Sequence, residues 1–468
     1  MNRRHAVGAA RREPPRPGPE AAYERRNGWE NTQVERKNRV RWSPAVQPGA
    51  PGSRTTRLEL FYDLVFVFAF LNVTELAAVD LSMPVLLRCL LALALLWWCW
   101  VGFAALGNVI RVDQGSVPLV GFVTTAAVFV LALSIPSAFA EVPDGLAGPL
   151  VFAVCYFVVR VLQVGVFGWV ARSDPKLRRR LLLLLAPAVT ATALLVAAAL
   201  VPQRLADGDA ERLLRLAFWV AAVGAEYGAG LGVRGTVTSA AHLAERYGLI
   251  VLIALGESII SLGLGPNLAA DSLPLTAPVV MAAVVGIAVI AVLWWAYFDS
   301  LAVGMEHALY RTRDPGARRR LARNAYTYLH LPLVAGIILF ALALKRMLHD
   351  LADPWTPAWG LPLPVIEALS LYGGVITYLV TLVVLGAVAQ RNLRWPPVTA
   401  VVLLIPLIPL SHRLPGLIAL VLLAAVCLLL LVVQFIVDAP NRHRVRETAL
   451  REQLATEAEQ TEWRGRNL

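Results

Sequence analysis

Residues 58–69 of this chain read LELFYDLVFVFA, and residues 243–254 read LAERYGLIVLIA, so that Tyr62 aligns with Tyr247. Both stretches are apolar and both carry acidic residues. This combination is rare inside a membrane, because placing one charge in hydrocarbon costs roughly 2.5 to 3.5 kcal/mol. The repeated signature predicts an integral membrane protein with an internal duplication.

Each copy of the signature leads into a second apolar segment with paired tryptophans, Trp97-Trp98 in the first and Trp294-Trp295 in the second. The second copy has a longer connection, which contains a Gly- and Pro-rich loop at residues 265–274. The similarity can be followed through two helices of each half, so a longer repeat is an extrapolation. The alternative is that a biased composition produced two similar helices.

The composition excludes an ordinary soluble protein. Hydrophobic residues make up 57% of the 468 residues and charged residues 16%, and the mean hydropathy is +0.62. These values predict an all-α polytopic membrane protein. The net charge of +11 comes from basic residues in two tails and a few short loops. It therefore indicates membrane topology and attraction to anionic lipids rather than nucleic-acid binding.

About 20 apolar residues cross the hydrocarbon, and this rule predicts about twelve membrane spans. They lie near residues 58–79, 84–109, 117–140, 148–170, 181–201, 213–233, 246–264, 276–298, 325–348, 364–388, 397–411 and 414–437. The eleventh is short and interrupted by prolines. The predicted domains are a disordered basic tail at 1–57, a first membrane repeat at 58–233, a second at 234–438 and a C-terminal tail at 439–468. Residues 1–57 contain no apolar h-region and are not predicted to be a signal peptide.

Charge asymmetry predicts the orientation. With the N-terminus inside, the inner loops hold about 16 basic residues and the outer ends about 7, as the positive-inside rule requires. Both termini are therefore expected in the cytoplasm, in a bacterial inner membrane. Six spans per half give the two signature helices the same direction, which predicts parallel repeats about a pseudo-two-fold axis along the membrane normal. The Arg-rich inner loops at 172–180 and 311–323 suit anionic lipid headgroups.

No motif indicates a cofactor, a metal or an enzyme. Cysteines 89, 99, 155 and 427 lie in apolar segments without metal-like or redox spacing. His330 has no second histidine at helical spacing, so a metal site is not predicted there. A phosphate-binding loop, a Gly-x-Ser-x-Gly and a His-Glu-x-x-His pattern are all missing from the sequence. We therefore expect no enzymatic activity, although a membrane enzyme acting on lipid stays among the alternatives.

The signatures resemble those of the bacterial low temperature requirement protein A family. The resemblance rests on residues 59–67, on the Trp97-Trp98 helix and on residues 242–249 running into 254–259. It covers roughly residues 54 to 438, with Tyr62 and Tyr247 where phenylalanine is common. The family implies a multi-pass membrane protein linked by name to growth in the cold, without a settled biochemical activity.

The residues predict a central site around Glu257. At a rise of 1.5 Å per residue, Glu257 lies about 17 Å inside a span that begins at Arg246, close to the bilayer midplane. Ser261 follows one turn later, and the repeat alignment puts Asn72 opposite Glu257 with Glu75 three residues on. The expected ion or substrate site comprises Glu257, Asn72, Glu75, Ser258 and Ser261. Glu257 is expected to load and release a proton or to coordinate a cation; the alternative is that it only joins helices.

Four further ionisable residues, Glu59, Asp63, Glu245 and Arg246, are expected near the cytoplasmic surface. A structural ion-pair network between the signature helices and a gate are both compatible with them. Arg160 and Glu226 are deeper, and unpaired they would together cost roughly 5 to 7 kcal/mol. We expect Arg160 to pair with Glu226 or with Glu257, and count Arg160 and Glu226 among the site candidates.

Two functional hypotheses remain. The first is a secondary transporter or permease for a small solute or ion, coupled to protons through Glu257. The second is a membrane protein that transports nothing, whether lipid-interacting, regulatory or enzymatic, in which the buried acids serve helix packing. A polar path to Glu257 favours the first, and a dry, fully paired Glu257 favours the second.

Overall fold

The computed structural model describes residues 54–78, 81–139, 147–170, 175–230, 238–264, 276–391 and 393–467. Residues 1–53 of the predicted tail at 1–57, the loop at 265–274 and residues 172–174 of the loop at 172–180 lie outside the described residues. The α-helices are, in chain order, α1 (Arg57–Ala78), α2 (Met83–Val109), α3 (Val117–Leu133), α4 (Gly148–Val170), α5 (Pro175–Leu200), α6 (Pro202–Leu205), α7 (Gly208–Gly230), α8 (Ala240–Leu264), α9 (Ala277–Phe298), α10 (Leu301–Arg311), α11 (Pro315–Leu321), α12 (His330–Ala352), α13 (Val365–Gln390), α14 (Trp395–Leu404), α15 (Leu407–Ser411) and α16 (Gly416–Asn467). A π-helical segment, Ala322–Tyr328, precedes α12.

The described residues contain eight helical stretches long and apolar enough to cross a membrane. Three shorter apolar helices accompany them, at Val117–Leu133, Leu185–Leu200 and Trp395–Ser411. The class predicted from composition, a helical polytopic membrane protein, is confirmed. Helical segments overlap each of the predicted spans, but α7, at the predicted span 213–233, is in neither of these two groups. The Pro-interrupted span is broken between α14 and α15.

The helices of each half pack in the same order. In the first half α1 contacts α2 and α3, α3 contacts α4, α4 contacts α5, α5 contacts α7, and α7 returns to α2. In the second half α8 contacts α9 and α12, α12 contacts α13, α13 contacts α14, α14 contacts α16, and α16 returns to α9. The signature helices α1 and α8 pack against each other, and α12 packs against both.

The most extensive helix contact, between α12 and α13, depends on two glycines. A Cβ atom built on Gly336 would lie 2.6 Å from the carbonyl oxygen of Gly374, and a Cβ on Gly374 would lie 2.6 Å from the carbonyl oxygen of Gly336. Small residues allow helix backbones to approach closely in membranes. The α12–α13 pair therefore supports the face of α12 that meets α1 and α8.

Short helices and a long one complete the fold. Asp314 caps α11, since its side chain accepts a hydrogen bond from the backbone N–H of Ala317. This bond holds the pKa of the exposed Asp314 carboxyl below its usual range. At the C-terminal end α16 continues as one helix from Gly416 to Asn467, through most of the segment that the sequence assigned to a tail.

Candidate functional site

The beginning of α1 meets α8 and α2 in a buried group of charged and polar side chains, the basal cluster: Glu59, Asp63, Trp100, His242 and Arg246. The exposed fractions of Glu59 and Arg246 are both 0%. Thr56-x-x-Glu59 forms a reciprocal capping box at the start of α1. The Thr56 N–H and hydroxyl donate to Glu59 Oε2 at 2.8 and 2.9 Å, and the Glu59 N–H donates to Thr56 Oγ1 at 3.3 Å.

Arg246 joins the two signature helices within the basal cluster. Its Nη1 donates to Asp63 Oδ2 at 2.6 Å and to the Glu59 carbonyl oxygen at 3.0 Å. Trp100 of α2 donates from Nε1 to Asp63 Oδ1 at 2.8 Å, and the guanidinium lies 5.3 Å from its ring centroid. Both Asp63 oxygens therefore accept hydrogen bonds, the arrangement that favours an ionised carboxylate.

His242 completes the basal cluster through contacts of both ring nitrogens. Its Nε2 lies 2.8 Å from Glu59 Oε1, and its Nδ1 lies 3.4 Å from Asn108 Nδ2. The Asn108 amide is oriented by two backbone groups, because Oδ1 accepts from Thr238 N–H and Nδ2 donates to the Ser239 carbonyl. His242 Nδ1 thus faces the Asn108 amide nitrogen, and Nε2 faces Glu59 Oε1, which accepts a hydrogen bond from it.

Glu257 lies deeper between the same two helices, in what we call the Glu257 site: Glu257, Thr74 and Ser261. Ser261 donates to Glu257 Oε1 at 2.6 Å, and Thr74 Oγ1 lies 3.0 Å from the same oxygen. Glu257 has an exposed fraction of 0%, and its Oε2 is buried without a hydrogen-bond partner among the described residues. The carboxyl is thus held by hydroxyl groups and not by a cation.

An ion pair between Glu75 of α1 and Lys345 of α12 adjoins the Glu257 site. Lys345 is buried and Glu75 is about one-third exposed at its side chain. Glu75 follows Thr74, whose hydroxyl contacts the Glu257 carboxyl. Two acids and one ammonium group therefore share this part of the bundle, and three helices contribute to it.

Arg160 and Glu226 form a separate buried ion pair in the first half, between α4 and α7. Arg160 Nε and Nη2 donate to the two oxygens of Glu226 at 3.1 and 3.2 Å. Tyr156 donates to Glu226 Oε1 at 2.7 Å, and Arg160 Nη1 reaches Gln163 at 2.9 Å. The sequence left two partners open for Arg160, and the structure pairs it with Glu226. This bidentate geometry suits a structural role.

His330 stands in an aromatic group at the start of α12. Its Nδ1 lies 2.8 Å from the Ala325 carbonyl oxygen, and its Nε2 lies 2.8 Å from the Tyr297 hydroxyl. The ring stacks on Tyr326 with an interplanar angle of 6°. The carbonyl can only accept, so Nδ1 carries the proton and Nε2 accepts from Tyr297. Both ring nitrogens are occupied by protein groups, as expected for a structural histidine.

The structure distributes the predicted site residues over several groups. Glu257 and Ser261 meet, and Glu75 lies beside them. Asn72 and Ser258 bond within their own helices, Asn72 Nδ2 to the Phe68 carbonyl at 2.8 Å and Ser258 to the Ala254 carbonyl at 3.3 Å. Glu59, Asp63 and Arg246 form the basal cluster.

Glu245 faces the start of α1, where its Oε2 accepts from the Thr55 N–H at 2.9 Å. Cysteines 89, 99 and 427 are buried and Cys155 is half-buried, all as free thiols.

Sequence reasoning missed Thr74, Lys345, His242 and Trp100. The repeat alignment pointed to Asn72, but Thr74 is the residue that faces Glu257. Lys345 offered a signal in composition, since it is one of three lysines among 43 basic residues. Trp100 and His242 gave no local signal, because their partners come from other helices.

A family model described as Bacterial low temperature requirement A protein (LtrA) matches residues 54–432. The chain therefore belongs to the LtrA family. Both signature helices, α1 and α8, lie within the matched residues. A similar protein is "Uncharacterized protein RA0937" of Rhizobium meliloti (strain 1021). It is 28% identical over 361 residues, which cover 74% of this chain and 80% of that protein. No solved structure matches the chain.

Proposed function

We propose that this protein is a secondary transporter or permease for a small solute or ion, coupled to protons through Glu257. The observation that carries the proposal is the fully buried carboxyl group of Glu257 in α8, which has hydroxyl partners at one oxygen and, among the described residues, no partner at the other. Intramembrane acids of this kind are costly and mark ion or proton pathways. The site also lies between the signature helices of the two halves, where transporters of repeated architecture bind their substrates.

The hydrogen bonds of Thr74 support a proton on Glu257. The Thr74 hydroxyl has one proton and two neighbouring oxygens, the Leu71 carbonyl at 2.8 Å and Glu257 Oε1 at 3.0 Å. A carbonyl can only accept, so both contacts are hydrogen bonds when the protonated carboxyl donates to Thr74. When the carboxyl is ionised, Thr74 turns and donates to it. Rotation of the Thr74 hydroxyl thus allows a hydrogen bond to both the protonated and the ionised Glu257 carboxyl.

The proposed architecture is twelve spans in two parallel six-helix repeats. The matching order of helix contacts in the two halves supports it. So does a repeated aromatic contact at the helix that closes each half. The rings of Trp98 and Tyr227 lie 4.7 Å apart, and those of Trp295 and Phe435 lie 6.5 Å apart. The neighbouring residues, Glu226 and Gln434, are buried polar side chains in both cases.

We further propose that the protein resides in the bacterial inner membrane with both termini in the cytoplasm. The excess of arginine at the ends of the helices on the side where α1 begins supports this orientation. Anionic lipids are the proposed partners of the loop with Arg318, Arg319 and Arg320. No enzymatic activity and no nucleic-acid partner are proposed.

A second candidate function is that of a membrane protein whose acids only hold helices together. The basal cluster favours it, since Arg246 bonds Asp63, His242 contacts Glu59, and both acids are buried. Under this alternative Glu257 is another interhelical link. The alternative predicts that removing the carboxyl of Glu257 lowers stability and changes nothing else.

Reconstitution of the full chain in liposomes tests the proposal. Vesicles carrying an internal pH reporter receive an imposed pH gradient and a panel of external ions and solutes, with wild type compared with Glu257→Gln. We expect solute-dependent proton movement in the wild type and its loss in Glu257→Gln. Glutamine keeps the hydrogen bonds to Thr74 and Ser261, so the variant should fold.

Two controls make the result specific. Glu257→Asp retains a titratable group and should recover part of the movement. Glu211→Gln makes the same chemical change at the start of α7, where Glu211 pairs with Arg215 at 2.7 Å, and should behave as the wild type. If the wild type moves no proton with any member of the panel, and Glu257→Gln only lowers thermal stability, the transport proposal is wrong and the second candidate stands.

A further inference from the structure

We infer that the Glu257 site exchanges one proton for one monovalent alkali cation. This rests on the proposed function and names the class of ion that it moves. Three charged groups carry it: Glu257, and the ion pair of Lys345 with Glu75, which follows the Glu257 partner Thr74 in α1. Their charges balance in one protonation state and not in the other.

The summed charge of Glu75, Glu257 and Lys345 favours a ligand with a single positive charge. With Glu257 protonated, the Glu75 carboxylate and the Lys345 ammonium group cancel, and the buried site is neutral. When Glu257 releases its proton, the same three groups carry a net charge of about −1, which is costly in low dielectric. A monovalent cation at the carboxylate restores neutrality, whereas a divalent cation or an anion does not. Proton and cation therefore replace each other one for one.

The donor atoms suit a hard cation. Glu257 offers Oε1 and the unpartnered Oε2, and Ser261 and Thr74 add hydroxyl oxygens at 2.6 and 3.0 Å from Oε1. Carboxylate and hydroxyl oxygens are ligands for hard metal ions, while soft metals select thiolates and thioethers. The thiol of Cys89, which faces this part of α1, donates to the Val73 carbonyl oxygen instead.

Lys345 supplies a positive charge from the protein itself beside the Glu257 site. It pairs with Glu75, next to Thr74 of the Glu257 site, so an incoming ion competes with an ammonium group already present. The other nearby charges are already paired. Arg346 bonds Glu367 at 3.0 Å, and Arg88 of α2 lies over the ring of Phe139. Helices α3 and α9, which pack on α1 and α8, contain no charged residue.

Proton release in detergent solution tests the exchange without requiring transport. The full chain is placed in weakly buffered solution with a pH dye, and sodium, potassium, lithium or choline chloride is added at equal ionic strength. We expect at least one alkali cation to release up to about one proton per chain, and choline to release none. Glu257→Gln should abolish the release, and Glu211→Gln should leave it unchanged.

Lys345→Met provides a second variant that does not remove the carboxyl of Glu257. The site then keeps the negative charge of Glu75 while Glu257 is protonated, so a cation can bind without displacing the proton. Sodium binding followed by calorimetry should persist in this variant, with fewer protons released per cation bound than in wild type. Equal coupling in Lys345→Met and wild type would contradict the role of Lys345.

The outcomes separate this inference from the proposed function. If liposomes show Glu257-dependent proton movement with neutral or anionic solutes, and alkali cations release no proton, transport stands and cation exchange is wrong. Release that is equal with choline, or that persists in Glu257→Gln, also overturns the exchange. If alkali cations release the proton but the liposomes show no flux, Glu257 is a cation-binding site in a protein that transports nothing.

Discussion

The basal cluster and the Glu257 site lie on the same two helices, yet they treat buried acids in opposite ways. In the basal cluster each carboxylate accepts at least two hydrogen bonds, and Arg246 supplies a buried positive charge. At the Glu257 site one oxygen contacts two hydroxyl groups and the other has no partner among the described residues. The nearest ammonium group is already paired with Glu75.

The two sites differ in how firmly hydrogen-bond partners fix the protonation state of the buried acid. An acid with fixed donors and a guanidinium partner has one stable protonation state, because losing the charge breaks several bonds at once. An acid held by rotating hydroxyl groups can accept a proton or lose it with little rearrangement. The first arrangement sets the register of α1 against α8, and the second is suited to change during function.

The largest expected loss of stability is in the basal cluster. Arg246→Ala leaves Asp63 and Glu59 buried without their cation, and breaking a buried pair in this way costs about 3 to 5 kcal/mol. Thermal unfolding of the purified protein should show a large loss of stability or no folded protein. Arg246→Lys keeps the charge and should lose less. A fully stable Arg246→Ala protein would show that the basal cluster does not lock the helices.

The next largest loss of stability is expected from a steric change beside Glu59 of the basal cluster. A Cβ atom on Gly107 would lie 1.9 Å from Glu59 Oε1, so Gly107→Ala should displace Glu59 and cost about 1 to 3 kcal/mol. Gly256→Ala is the matched control, since nothing lies within 4 Å of a Cβ atom there. Thermal unfolding of both variants measures the contrast. Equal stability of the two would mean that Glu59 does not need the space beside Gly107.

A smaller loss is expected from Trp100→Phe. Phenylalanine keeps a ring beside Arg246 but cannot donate to Asp63 Oδ1, and removing one hydrogen bond to a charged group costs about 1.5 to 3 kcal/mol at most. Because other donors still hold Asp63, we expect the lower end. The measurement is the unfolding temperature, compared with that of Trp97→Phe, whose indole N–H donates to the Thr327 carbonyl at 2.8 Å. A larger loss at Trp97 would indicate that the indole bond to Asp63 adds little.

The smallest effect on stability is expected at the Glu257 site. Thr74→Val removes one hydroxyl, and interhelical bonds of this kind contribute about 0.6 kcal/mol in membranes. Its effect on proton release should be greater, because the ionised carboxyl loses a donor and the proton is held more tightly. Thr381→Val, which removes a bond within α13, is the control for stability. Unchanged proton release in Thr74→Val would show that the hydroxyl does not take part in exchange.

The sequence was sufficient for the class and for the helices, because apolar length and rare charges are local properties. It also singled out Ser261, one turn from Glu257 on the same helix face. It could not find Thr74 or Lys345, since their approach to Glu257 depends on the rotation of α1 and on α12 crossing both signature helices. The repeat alignment sets equivalent positions in two halves and not the contacts between them, which is why Asn72 was favoured over Thr74.

Measuring the protonation state of Glu257 is the most direct test of the contrast between the basal cluster and the Glu257 site. Infrared difference spectroscopy at neutral pH, with and without sodium, follows the carbonyl stretching band of protonated carboxylic acids in the wild type, in Glu257→Gln and in Glu211→Gln. The account predicts one such band that decreases with sodium, is missing in Glu257→Gln and remains in Glu211→Gln. A band that persists unchanged in Glu257→Gln would contradict it, because the proton would then belong to another acid.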